Sequence, residues 1–468
     1  LHVYIFLYLL LALTCFRIFC FMKFSKYTQL ILNYLSNYGY YKQTKQLLKR
    51  EFSSKEEIED FQVLKLKEIL IYAYKHVPYY RELFNKIKFN PYEFRSLDEF
   101  KQIPFLTKEL VRKNQHKLLS GNFPRQHIKK VQTGGTTGLP MEFSLDNRFS
   151  SLKEMLFLRH MWKRVGYRPR SRCVVLREDT VSKIVEGEIY WKRNLLTNWL
   201  IMSSFHLNAD TFDIFHKKIA SYKPEFIIAF PSNIYLLAKF MKEKNLNAIP
   251  SLKAIICSSE NIFDWQRTFM EDIFRTRVFS YYGHSEKCVM ATEGTNTNEY
   301  EFFPQYGYAE IVNEEGDHCT KDNERGEIIA TGFDNFASPF IRYKTEDIAV
   351  LSTSGNTDHK HWLSIKNIEG RKQDFLIDND GVPKSYIYID RPFWDMKDQI
   401  YAYQYIQDKP GIVQLNVQAK DKLTRQQIEN IKSTFYKTYF KMALIVQQVE
   451  HIPRTNRGKF KYLIQNIK

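Results

Sequence analysis

Apolar positions at helical spacing run through residues 22 to about 120. They are clearest in FQVLKLKEILIYAYKHVPYYRELF, where Phe61, Leu64, Leu66, Ile69, Leu70 and Ala73 make a stripe and Pro78 ends the helix. Between 221 and 285 the pattern changes. EFIIAF (225–230), KAIICSS (253–259) and RVFSYYG (277–283) read as short strands. Between them, Ile234, Leu237, Ala238 and Met241 fall at i, i+3, i+4 and i+7 behind Ser232 as N-cap, and DWQRTFMEDIF (264–274) is a second helix. Alternating strand and helix predicts a right-handed parallel unit, whose ligands sit beyond the carboxyl ends of the strands. Those ends are Phe230-Pro231-Ser232, Cys257-Ser258-Ser259-Glu260 and Tyr281-Tyr282-Gly283-His284-Ser285-Glu286. A polar and aromatic site at one sheet edge is therefore expected before any motif is considered.

After residue 300 the alternation is β-like, in YGYAEIV, GEIIATGF and FIRYKTEDIAVLS. Beyond Gly370 a smaller α+β segment follows. It comprises DFLIDNDGVP with a turn at Asp380-Gly381, the strand GIVQLNVQA, the helix LTRQQIENIKSTFYKTYF and a basic tail. The boundary is placed near 366–370, giving an α/β chain with a large domain of mostly parallel sheets and helices over 22–368 and a small mobile α+β domain over 369–468.

Residues 1–21, LHVYIFLYLLLALTCFRIFCF, are apolar over nearly the length that spans a bilayer. They begin with Leu, carry Arg17 and lack a basic n-region, while Met22 opens MKFSKYTQL. The preferred reading is an extension upstream of a cytosolic start at Met22. The alternative is an inner-membrane anchor, with Lys23 and Lys26 holding the remainder on the cytoplasmic side.

Composition narrows the classes. In 468 residues, 44% are hydrophobic and 26% charged, which excludes a disordered, collagenous or multispanning chain and fits a globular, water-soluble one. The net charge of +17 admits nucleic acid, an anionic membrane or a phosphorylated small molecule as partner. The Lys and Arg residues are spread through helical text with no recognisable binding module, against nucleic acid. Six cysteines without a C-x-x-C pair fit a reducing, cytoplasmic compartment and buried thiols; Cys288 with His284, or Cys319 with His318, is the weaker metal reading.

The strongest local signal is VQTGGTTGLPMEF (131–143). Thr133, Gly134, Gly135, Thr136, Thr137 and Gly138 form a loop between two strand-like runs, whose amides and hydroxyls can wrap an anion, although an ordinary Gly/Thr hairpin would look similar. No Lys follows the last glycine, so it is not a Walker A loop.

TGGTTGLP resembles the phosphate-binding loop of the adenylate-forming enzymes. Four further segments follow in that superfamily's order: YYGHSE (281–286), IRYKTED (341–347), IEGRKQD (368–374) and PRTNRGKFKY (453–462). The likeness spans roughly residues 60–468 and is greatest to the phenylacetate-CoA ligase and capsular polysaccharide CapK branch. It implies an ATP-dependent carboxylate ligase that makes an acyl adenylate and passes the acyl group to CoA, a carrier-protein phosphopantetheine or another acceptor. The CapK likeness implies service in surface polysaccharide assembly. Aromatic catabolism and a catalytically silent adenylate-binding homologue are the alternatives.

By that resemblance the 133–138 loop cradles the β- and γ-phosphates and Glu286 helps to hold Mg²⁺, a hard ion suited to a carboxylate with phosphate oxygens. Tyr282 stacks on adenine, beside Gly283 and Ser285, with Ser258, Ser259 and Glu260 on the same wall. Asp347 accepts the ribose hydroxyls, and Arg371 reaches the nucleotide from the hinge. Lys459 bridges the carboxylate and the α-phosphate. Phe230, Pro231, Ser232 and His284 line the acid pocket. A small carboxylic acid and an acyl carrier protein are the implied partners. Glu346 stands where the family usually has Gly, and Gln373 where it has Asp or Lys, so adenylation is better supported than the thioester step.

Overall fold

The computed structural model describes residues 38–132, 141–148, 150–177, 190–355, 358–371, 375–381, 383–385, 393, 396, 399–439, 442–454 and 461–467. Near the amino terminus, α1 (Lys55–His76) starts at Ser54, whose hydroxyl accepts from the Glu57 amide, and α2 (Pro78–Lys86) follows at once with Pro78 at its first turn. On α1 Phe61, Leu66, Ile69, Leu70 and Ala73 are buried, but Leu64 is 56% exposed, so the stripe is narrower than its sequence suggests. A hairpin of β1 (Ile128–Gln132) and β2 (Glu142–Asp146) encloses the glycine-threonine segment, of which 133–140 lie outside the described residues. Next come α3 (Ser150–Met161), β3 (Cys173–Leu176), and the pair β4 (Trp191–Asn194) and β5 (Trp199–Met202).

The predicted βαβ text is realised almost to the residue. The helix α4 (Phe212–Tyr222) leads to β6 (Phe226–Ala229), α5 (Pro231–Glu243), β7 (Ala254–Ser258), α6 (Asp264–Phe274) and β8 (Arg277–Gly283). Strands β5, β3, β6, β7 and β8 lie parallel. Both faces of these strands are covered, which is why they read as unbroken apolar runs. Ile227 and Ile255 face the α5–α6 side with Leu237 and Met270, while Phe226, Ile256 and Phe279 face Phe157 and Met161 of α3.

The helix α5 corrects one expectation. Its N-cap is Phe230 and Pro231 occupies the first turn, where the fixed proline φ suits a helix start; Ser232 therefore lies inside the helix.

The sheet continues through antiparallel strands β9 (Met290–Glu293), β10 (Tyr300–Phe302), β11 (Gly307–Val312), β12 (Arg325–Gly332), β13 (Tyr343–Ser352) and β14 (Ser364–Arg371). Its twelve strands run β11-β12-β13-β14-β10-β9-β8-β7-β6-β3-β5-β4. Parallel pairing is thus confined to the βαβ half, and the large sheet is mixed rather than mostly parallel. The antiparallel half packs against the first helices, with Ile328 and Ala330 in one core with Leu70, Tyr80 and Phe84.

The small C-terminal domain opens with a hairpin of β15 (Phe375–Ile377) and β16 (Pro383–Ser385), whose turn holds Gly381 at φ +79°, as the Asp-Gly signal predicts. Its sheet, β19-β18-β17-β20, contains β17 (Ile400–Lys409), β18 (Ile412–Ala419), β19 (Ala443–Gln448) and β20 (Leu463–Gln465). The helix α7 (Arg425–Thr438) carries a reciprocal cap between Thr424 and Gln427. Among the described residues no helix is long and apolar enough to cross a membrane. The apolar segment 1–21 lies outside them.

Candidate active site

Parallel strands deliver their carboxyl ends to one edge, and the loops there are tied together. At the end of β6, the amide and hydroxyl of Ser232 donate to Glu260 over 3.0 and 3.1 Å. Ser232 sits in the first turn of α5, where amides lack intrahelical partners and the helix dipole favours a carboxylate. This bond joins the ends of β6 and β7. Ser259, between the end of β7 and Glu260, has φ +71°, a left-handed conformation that a non-glycine residue adopts at a cost of roughly 1 kcal/mol.

Arg177, one residue past β3, joins the ends of β3, β6, β7 and β8. Its guanidinium donates to Ser258 Oγ at 2.8 Å, Ser259 Oγ at 3.2 Å and the Tyr281 hydroxyl at 3.1 Å, and it lies 5.5 Å from the centre of the Phe230 ring. Phe230 and Ser232 are themselves buried. The sequence reading missed Arg177, although CVVLR is a short β-rich run that ends in a polar residue, as the other strand ends do.

Tyr282 is buried and donates its hydroxyl hydrogen to Asp347 Oδ2 at 2.6 Å. Burial and the Asp347 charge push this phenol well above its ordinary pKa, so it remains a donor. Its ring packs edge-on against Phe302, 6.1 Å away. Gly283 is exposed, and a Cβ there would meet only the Met290 side chain, at 3.8 Å. Ser285 is half-buried.

Glu286 is buried between two donors: His284 Nδ1 is 3.2 Å from one carboxylate oxygen, and the Tyr343 hydroxyl donates to the other over 2.7 Å. Burial alone would raise its pKa, but these hydrogen bonds and the charge of His284 hold it down, at about 2. The carboxylate is ionised and its orientation fixed. No group of three or more His, Cys, Asp or Glu able to hold a metal occurs among the described residues. His318 instead pairs with Glu310 at 2.8 Å, and Cys173, Cys257, Cys288 and Cys319 are buried thiols whose pKa burial pushes up.

On β13, Asp347 lies opposite Arg371 of β14 in register. The neighbouring Glu346 has φ +66°, the conformation that glycine adopts most readily; its amide donates to Glu327 over 3.0 Å and its carboxylate accepts from Lys108 over 2.5 Å. Just before Arg371, Gly370 has φ +117°, where the pairing of β13 and β14 slips by one residue.

The carboxy-terminal segment also reaches this edge. Arg454 donates to the Ser204 carbonyl at 2.6 Å and to Asn233 Oδ1, next to Ser232. Burial lowers its pKa to about 10, against the opposing charge of Glu260. Of the remaining expected site residues, Thr133, Gly134, Gly135, Thr136, Thr137, Gly138, Lys459 and Gln373 lie outside the described residues, as does the Arg371 side chain. Tyr343 and Arg454, both inside segments already singled out, are the other two contributors that sequence reasoning passed over.

Residues 376–466 match the family model described as the CapK C-terminal domain. The chain is 24% identical over 436 residues to Protein CapK of Staphylococcus aureus, covering 92% of this chain and 93% of that protein. It is 25% identical over 345 residues to the phenylacetate-coenzyme A ligase of Escherichia coli, covering 70% and 74%. Among solved structures, a 2-hydroxyisobutyryl-CoA ligase in its postadenylation state superposes with TM-score 0.68 at 17% identity, over 88% of this chain and 89% of that one. The same enzyme in its thioesterification state gives 0.57.

Proposed function

We propose that this chain, a homologue of CapK and the phenylacetate-coenzyme A ligases within the adenylate-forming superfamily, is an AMP-forming ligase that activates a carboxylic acid with ATP. The observation that carries this reading is the shared edge. Asp347 held by Tyr282, an ionised Glu286, and the carboxy-terminal segment docked through Arg454 lie where the ends of the sheet's parallel strands converge.

In the first step a carboxylate oxygen of the acid attacks the α-phosphorus of ATP, and the bond to pyrophosphate breaks. Two anions approach each other, so the residues around them must supply positive charge and oriented donors. Asp347 accepts from the ribose hydroxyls, with Tyr282 fixing the carboxylate. Gly283, which nothing in the described chain requires to be glycine, lets the adenine approach the backbone beside the Tyr282 ring. The 133–138 loop takes the β- and γ-phosphates. Lys459, five residues after the docked Arg454, reaches the α-phosphate and the acid. Glu286 is a fitting ligand for Mg²⁺, being ionised and hard; with phosphate oxygens and water completing its shell, the ion would neutralise charge on the departing pyrophosphate.

In the second step the acceptor attacks the acyl carbon and AMP leaves. CoA or a carrier-protein thiol fits this role. The 369–468 domain turns about the Gly370-Arg371 hinge between the two steps. The geometry at Glu346 supports an active enzyme over a silent homologue, because the backbone keeps the conformation of glycine despite the substitution. Arg177, Ser258, Ser259 and Tyr281 make the acid side polar and cationic, which supports a hydrophilic acid over phenylacetate. Surface polysaccharide assembly, on the likeness to CapK, is the favoured setting.

Acid-dependent ATP–pyrophosphate exchange across aliphatic, aromatic, hydroxy and amino acids tests the reading. Exchange with some acid, lost by at least roughly 100-fold in Lys459→Ala, is expected. Folded protein that exchanges with no acid would sink it.

A further inference from the structure

Far from the strand ends just described, the β4–β5 hairpin turns at two leucines that face solvent. Leu195 is 70% and Leu196 62% exposed, the two highest values for large hydrophobic side chains among the described residues. Isolated exposed leucines are ordinary, but an adjacent pair at the tip of an edge hairpin is not.

The flanks of this tip are firmly built. The Asn194 side chain accepts from the amides of Leu196 and Thr197 over 3.1 and 3.4 Å. Asn198, at φ +58°, donates its side-chain amide to the Arg170 carbonyl over 3.0 Å, and its own carbonyl accepts from the Tyr222 hydroxyl over 2.6 Å. The turn is therefore held in place while its two apolar side chains remain outside.

Basic residues surround it. Lys192 and Arg193 lie on β4, and Arg170, Arg172 and Lys223 on the adjoining loops, all exposed. The guanidinium of Arg193 sits 5.7 Å from the Tyr222 ring, and Arg172 Nε donates to the Lys223 carbonyl over 2.8 Å, so these charges are packed into one surface. The acid beside these residues is already engaged: Glu225 accepts from the Arg172 amide over 3.1 Å and pairs with Lys253 at 3.0 Å.

Topology fixes which way this surface points. Because β5 runs parallel to β3 with Trp199 opposite Cys173, the tip lies at the amino ends of the parallel strands, the end opposite Ser232, Ser258 and Tyr282. We propose that this tip is a docking surface for an anionic lipid membrane, with Leu195 and Leu196 entering the interface and the basic residues meeting the headgroups. Apolar anchors rimmed by cations are the combination that anionic bilayers reward. A nucleic acid would gain nothing from two leucines, since stacking needs flat rings. A carrier protein delivering or collecting an acyl group would have to reach the other end of the sheet. Docked in this way, the enzyme keeps its acid and nucleotide entrance away from the bilayer.

Hydrogen exchange of the full chain gives a local readout that other membrane-binding segments do not obscure. With vesicles of phosphatidylglycerol and phosphatidylcholine, exchange over 191–199 is expected to slow by roughly fivefold or more; pure phosphatidylcholine or high salt should abolish the effect. The double change Leu195→Ser with Leu196→Ser should remove the protection while leaving the thermal melt unchanged, as should Arg170→Ser with Arg193→Ser. The proposal is overturned if the chain sediments with anionic vesicles while 191–199 exchanges as before, or if it does not associate at all. It is also overturned if protection appears without vesicles and grows with protein concentration, which would make a second copy the occupant.

Discussion

The hydroxyl of Tyr282 donates to Asp347 across 2.6 Å, joining the end of a parallel strand to an antiparallel one on the far side of the sheet's midpoint. The Tyr282 ring is buried, so the Asp347 carboxylate has a partner that water cannot readily replace. In Tyr282→Phe the loss of this charge-assisted bond is expected to cost about 1.5–3 kcal/mol of stability. If Asp347 also holds the ribose, exchange kinetics should show a raised KM for ATP with a smaller change in kcat. A loss confined to kcat would place Tyr282 elsewhere in the reaction.

Arg177 bears on acid choice. Replacing its guanidinium with an isobutyl group in Arg177→Leu leaves Ser258 and Tyr281 without their charged donor. Exchange with the preferred polar acid should fall by roughly 10- to 100-fold, while phenylacetate is used no worse or better. An equal loss for all acids would show that Arg177 only braces the strand ends.

At Glu346 two effects oppose. Glu346→Gly relieves a left-handed φ of +66°, worth about 1 kcal/mol, and deletes the partly buried pair with Lys108, worth a similar amount. The melting temperature should therefore move little, whereas Lys108→Ala alone should destabilise. Exchange is expected to stay within about twofold, with any larger change appearing in single-turnover thioester formation, since the residue adjoins the hinge strand.

His160 on α3 gives a pH signature remote from the site. Burial, reinforced by Lys163 and Arg164, lowers its pKa from the ordinary 6.5 to about 4. The unfolded chain then binds a proton more readily than the folded one between those values, so stability falls as pH drops from about 6.5 to 4. Measured by urea unfolding, the stability of the wild type should fall relative to that of His160→Gln as pH drops through that window, by an amount on the order of 2 kcal/mol. Parallel pH profiles would contradict the assignment.

Where the sequence was legible, the cause was periodicity. The strands over 254–258 and 277–283 and the helix over 264–274 match their text because buried parallel strands must be apolar on both faces and the covering helix amphipathic. Ser232 was misplaced because a hydroxyl before an apolar stripe looks like a cap, although Pro231 is the better opening residue. Arg177 stayed hidden since β3 is only four residues long and its neighbours in the sheet come about 25 and 50 residues later in the chain. The left-handed backbone at Glu346 has no signal in the residue itself, because glutamate does not ordinarily adopt it; only the glycine usual at this place in the resembled family hints at it.

The nesting of the large sheet bears on how the chain is made. Strand β8 pairs with β9 and β9 with β10, but β10 has β14 as its other neighbour, so this layer cannot be completed until residue 371 has been synthesised. The interval from the end of β10 to the end of β14 is about 70 residues, which at bacterial-to-eukaryotic elongation rates is roughly 3–14 s. Throughout it, β10 presents an unpaired edge beside a βαβ unit that can already have condensed. Nascent chains stalled before residue 364 should therefore depend on chaperones more than those stalled after 371.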